Sequence, residues 1–135
     1  MIISVASGKV DTGKTSIVGS FAEQLAEKAG FGYIINDGQH KVYHAGDTCL
    51  FGDMATVIAR YELDCAMLPV GDYYTMGLED AVTAAHWLKA PLIIPMHYNT
   101  FPVITQDIEE FKKDLENKTE SKGIILAPGE HYQLG

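Results

Sequence analysis

Asp47, in His44-Ala45-Gly46-Asp47-Thr48, and His97, in Pro95-Met96-His97-Tyr98, are the residues of this chain best equipped for chemistry. Each follows a short apolar run, where a strand would stop and present its side chain to a cleft. Carboxylate oxygen and imidazole nitrogen hold divalent transition metals such as zinc, manganese or iron. Two donors are too few to hold an ion firmly, so weak or partial occupancy is the expectation.

The bulk numbers bound the partners. The chain has 135 residues, enough for one domain with a single core. Its net charge of −8 argues against nucleic acid and anionic membrane as partners, because no basic surface would offset the repulsion. A small neutral or cationic substrate, a metal or another protein stays open. No apolar run is long enough to span a membrane. Met1 to Ser7 lacks the basic start and cleavage site of a signal peptide, so it reads as a buried first strand of a cytoplasmic protein. Cys49 and Cys65 form no CxxC pair and are expected to be reduced.

Periodicity places the elements that must position these side chains. Ile2 to Ala6 is β-prone. Thr15 to Ala29 follows a helical period through Ile17, Phe21, Leu25 and Ala29, with Gly30 as C-cap. Phe31 to Asn36 and Lys41 to Ala45 flank Asp37-Gly38-Gln39, a hairpin signal. Gly52-Asp53 opens a helix to Arg60, and Cys65 to Val70 is a strand apolar enough to be covered on both faces. A helix over Leu78 to Lys89 carries the stripe Leu78, Val82, Ala85 and Leu88. Leu92 to Met96 is a strand, Asp107 to Asn117 an amphipathic helix, and Ile124 to Ala127 a final strand. Strands alternating with helices from residue 41 give an α/β domain with largely parallel neighbours.

Four segments occur in a fixed order: His44 to Asp47 with Leu50-Phe51-Gly52-Asp53-Met54; Leu68-Pro69-Val70-Gly71-Asp72 with Thr75-Met76-Gly77; Ile94 to Pro102; and Ala127-Pro128-Gly129-Glu130. Together they resemble the C-terminal half of metal-dependent hydrolases of the metallo-β-lactamase fold, over residues 31–135. The resemblance implies half of an αββα sandwich, a sheet flanked by helices with a metal site at its edge. It implies that Asp47 bridges two metal ions, that His97 is the last histidine ligand, and that His44 orients Asp47 without binding metal. It further implies hydrolysis of a small ester, amide or phosphoester by a metal-activated water. The family's His-x-His-x-Asp-His cluster and one further histidine lie upstream of the Asp47 position, yet this chain has no histidine before His40. One copy therefore cannot build the dinuclear centre. An open sandwich half would also expose an apolar sheet face, so a homo-oligomer or a complementing polypeptide is expected to cover it.

Gly8-Lys9-Val10-Asp11-Thr12-Gly13-Lys14-Thr15 fits the Gly-x4-Gly-Lys-Ser/Thr pattern, and residues 1–30 resemble the P-loop start of a partitioning-type ATPase. That resemblance implies a Mg-nucleotide held by Gly8, Gly13, Lys14 and Thr15. A glycine-containing strand-to-helix turn that binds nothing explains the same residues, and Asp11 would repel phosphate. A single domain over residues 1–135 joins the two segments, in a truncated, rearranged or fused chain.

Overall fold

The computed structural model describes residues 1–4, 26–29 and 32–135. Among the described residues, six strands form the main sheet: β2 (Ala26–Ala29), β3 (Gly32–Asn36), β4 (Lys41–His44), β5 (Cys65–Pro69), β6 (Leu92–Met96) and β7 (Lys122–Gly123), in that spatial order. The β2–β3 and β3–β4 pairs are antiparallel, and β4 through β7 run parallel. β1 (Ile2–Ser4) and β8 (His131–Gln133) make a separate two-stranded antiparallel sheet. Helices α1 (Asp53–Thr56), α2 (Leu78–Leu88) and α3 (Ile108–Lys118) join the strands, with short 3-10 turns at Ile58–Tyr61 and Pro102–Ile104.

Alternation along the central strands explains why both faces are covered. Tyr43, Ala66, Leu68 and Ile93 point into a core with Met54, Ile58, Val82, Leu88, Phe111 and Leu115. Their neighbours Val42, Cys65 and Ile94 point the other way and pack with Ile3 and Leu134. The β1–β8 sheet thus seals part of the face that was expected to lie open. Among the described residues, the large exposed apolar side chains are Val57, Tyr73, Tyr74, Phe101 and Val103, all in loops and turns.

Local chemistry sets several boundaries. The Asn36 side chain accepts from Gly38 N–H and the Asp37 side chain from Gln39 and His40 N–H, closing the β3–β4 turn with Gly38 at φ 91°. Asp107 caps α3 by accepting the Glu110 N–H at 3.0 Å. Ala81, Ala84 and Ala85 are fully buried, and their small side chains let α2 lie close on the sheet.

The expected helix to Ala29 is corrected at its end. Residues 26–29 are extended and pair antiparallel with β3, whose edge would otherwise present unpaired N–H and C=O groups; the rest of that helix lies outside the described residues. The expected strand over Ile124 to Ala127 is corrected too. The ladder with β6 is formed by Lys122 and Gly123, and Ile124 adds one further N–H bond to the Ile93 carbonyl at 2.9 Å before the chain leaves the sheet.

Burial pushes the Cys65 thiol up to about 12, aided by the nearby Asp64 carboxylate, whereas Cys49 is exposed. Ellman titration at pH 8 should therefore find one thiol reacting at once and the second only after denaturation. Rapid reaction of both in the native protein would contradict this packing.

Candidate metal centre

Asp47 and His97 leave the sheet from strands that are not neighbours. β5 lies between β4 and β6, and strand spacing puts those two about 10 Å apart. Their C-terminal ends nonetheless align, because all three strands are parallel and in register: His44 pairs with Met67, and Pro69 with Met96. The chain after β4 must therefore arch over the end of β5 to reach His97. It does so. Asp47 Oδ2 stands 3.7 Å from His97 Nε2.

Two features shape the β4 side. The Gly46 N–H donates to His44 Nδ1 at 3.1 Å, which fixes the tight turn just before Asp47, and Gly46 takes the left-handed φ of 69° that the turn requires. Burial holds the His44 imidazole below its ordinary pKa, although its backbone contact and the Asp47 charge pull the other way. His44 is therefore neutral near pH 7, and its Nδ1 acts as an acceptor.

The β6 side depends on Gly71. A Cβ on Gly71 would fall on the His97 carbonyl oxygen and come within 3.3 Å of His97 Nδ1 and 3.1 Å of the Ile104 side chain. Only a residue without a side chain lets the strand-β5 exit lie against His97. His97 and Asn99 sit at φ 57° and 56°, an uncommon conformation for residues with a Cβ. Hydrogen bonds hold this loop: Asn99 N–H to the Ile104 carbonyl at 2.9 Å, Gln106 N–H to Asn99 Oδ1 at 2.7 Å, and the Gln106 side-chain amide to the Gly71 carbonyl at 3.4 Å. Gln106 thereby ties the loop after β6 to the loop after β5.

The pair is suited to share an ion. Two ligands each about 2.1 Å from one metal stand roughly 3–4 Å apart, and the gap here is too long for a hydrogen bond. The Asp47 side chain is 71% exposed and the His97 side chain 29% exposed, so both are reachable from solvent. His97 Nδ1 is buried without a hydrogen-bond partner, while the Nε2 edge faces Asp47. Nε2 is thus the nitrogen free to ligate. The donor set is short, however: among the described residues no group of three or more His, Cys, Asp or Glu converges.

The sequence picked out Asp47, His44 and His97, and the structure brings them to one edge. It did not pick out Gly71, Asn99 or Gln106 as supports. The available signal was the Gly-Asp step at the end of a buried strand. His86, in α2, and His131, in β8, are exposed and take no part. Gly8, Gly13, Lys14 and Thr15 lie outside the described residues.

The family model of the β-lactamase superfamily domain matches residues 4–97, and the chain belongs to that superfamily. The match runs through the Gly8 to Thr15 segment, and the P-loop reading finds no support. A UPF0173 metal-dependent hydrolase of Methanosphaera stadtmanae is 50% identical over 118 residues, covering 84% of this chain and 50% of the relative. One from Desulfitobacterium hafniense is 56% identical over 100 residues, covering 73% and 42%. The structure of Igni18, a metallo hydrolase from Ignicoccus hospitalis, superposes with a TM-score of 0.71 at 40% identity, over 77% of this chain and 46% of that one. YhfI of Bacillus subtilis, a metallo-β-lactamase fold protein, shares the fold with a TM-score of 0.62 at 16% identity, over 75% and 43%. The chain spans about half the length of the curated relatives it matches.

The close approach at Gly71 generates a test. Gly71→Ala should destabilise the fold by about 1–3 kcal/mol, because backbone at His97 must move. Urea unfolding measures this, and an unchanged midpoint would refute the contact.

Proposed function

We propose that this member of the β-lactamase superfamily supplies one half of a metal-dependent hydrolytic site, with Asp47 and His97 as its ligands. The observation that carries the reading is the 3.7 Å approach of Asp47 Oδ2 to His97 Nε2 at the C-terminal ends of the parallel strands of a mixed sheet. Such edges are where α/β sheets place their ligands. The relatives' description as metal-dependent hydrolases supports the same assignment.

Asp47 offers a carboxylate with two oxygens, one facing His97 and one free for a second contact. His97 offers Nε2, its ring held by the Gly71 loop. His44 does not reach toward the ion in this reading; its Nδ1 holds the Gly46 N–H and so aims the turn that carries Asp47. A bound divalent ion, with zinc, manganese and iron all compatible with these donors, supplies Lewis acidity and a water made nucleophilic near neutral pH. The remaining ligands come from outside the described residues. A small molecule is the substrate.

Because two ligands bind weakly, the purified chain should retain well under one equivalent of transition metal after dialysis. Added Zn²⁺ should bind reversibly in calorimetry, and Asp47→Asn or His97→Ala should weaken it at least about tenfold. Two tightly held ions per chain that survive both substitutions would refute the assignment.

A further inference from the structure

The loop after β5 and the loop that carries His97 hold an aromatic cluster with no lysine or arginine near it in sequence. Tyr73 and Tyr74 follow Gly71 and Asp72 at the exit of β5; Phe101 and Val103 follow His97 at the exit of β6. The Tyr73 and Tyr74 rings meet edge to face with centroids 4.7 Å apart, and Tyr74 lies 6.3 Å from Phe101. Rings from two separate loops thus form one surface, joined behind by the Gln106 bond to Gly71. That surface is open: Tyr73 is 74% and Tyr74 58% exposed. Large side chains left in water on this scale signal a ligand or partner.

The charges select among occupants. Residues 45–57, 70–77 and 97–107 contain Asp47, Asp53, Asp72 and Asp107 and neither lysine nor arginine. A phosphate or carboxylate on the substrate would find no lysine or arginine in these three stretches, whereas an ammonium group would find ring faces and an excess of acidic residues. The metal's own charge acts on the bond being cleaved; the rest of the substrate must contact the rim.

We propose that Tyr73, Tyr74 and Phe101 form the recognition wall of the Asp47–His97 site, and that its substrate is an uncharged or cationic small molecule with an aryl or comparable apolar group. This rests on the metal-site reading above, and it disfavours the phosphoesters among the possible substrates.

Three naphthyl probes of similar size test it by ligand-observed NMR, in EDTA and again with Zn²⁺: neutral 1-acetonaphthone, cationic 1-naphthylmethylammonium and dianionic 1-naphthyl phosphate. In EDTA the first two should bind at least about tenfold more tightly than the phosphate. Tyr74→Ala combined with Phe101→Ala should weaken those two about fivefold, and Tyr73→Ala should weaken them in the same direction, with melting temperatures unchanged. Equal binding of the phosphate in EDTA, or no change in the variants, would overturn the proposal. So would a sedimentation mass that rises to a dimer in the wild type and not in the double variant, since the rings would then serve self-association. Asp47→Asn separates the two claims. It should weaken Zn²⁺ binding at least about tenfold and leave acetonaphthone binding intact; unchanged Zn²⁺ binding would sink the metal-site reading, and lost acetonaphthone binding in EDTA would sink the wall.

Discussion

Among the described residues, the candidate metal site depends on closing a gap at one edge of the sheet. Asp47 and His97 are launched from β4 and β6, with the whole width of β5 between them. Parallel pairing brings the three strand ends level, but levelness alone leaves the side chains too far apart to act together. The gap closes because the chain after β4 turns sharply at Gly46, and because Gly71 lets the exit of β5 sink against His97 without a side chain in the way. A Cβ at Gly71 would fall on the His97 carbonyl, and one at Gly46 would strain its left-handed backbone.

The loops are built to hold that arrangement. His97 and Asn99 both adopt left-handed backbone, which costs free energy and persists only where the surroundings enforce it. The enforcement is visible in the bonds from Gln106 to Asn99 and Gly71, and in the fully buried Ile104 beneath the loop. On the other strand, His44 is kept neutral by burial and spends its Nδ1 lone pair on the turn before Asp47. A histidine so engaged serves geometry, which explains why three metal-capable residues at one edge amount to only two available donors.

Much of this was legible in the chain itself. The strand at Leu92–Met96 and the amphipathic helix expected over Asp107 to Asn117 follow from local patterns, and the structure places them at Leu92–Met96 and Ile108–Lys118. The α/β architecture was readable because alternation and spacing are local, whereas Asp47 and His97 stood out through the resemblance of the ordered motifs to metallo-β-lactamase-fold hydrolases. What was not readable is non-local. Ala26–Ala29 fits a helical period, yet it extends because β3 offers an edge to pair with. Lys122–Gly123 has poor strand propensity, and pairing with Leu92 and Ile93 decides its conformation. Gly71 looks like any turn glycine until His97 is laid on top of it. The two-stranded β1–β8 sheet joins opposite ends of the chain, so no local pattern could announce it, and it covers apolar surface that a half-sandwich was expected to expose.

The central claim is that one carboxylate and one imidazole share a single ion. Titrating isotope-labelled protein with Mn²⁺ and following paramagnetic broadening of its amide signals tests this directly. Broadening should appear together at residues 46–48 and 97–99, at the same metal concentration, while the amides of residues 118–122, bonded at the opposite end of β6, stay sharp. Broadening centred elsewhere, or reaching one of the two loops without the other, would contradict the account.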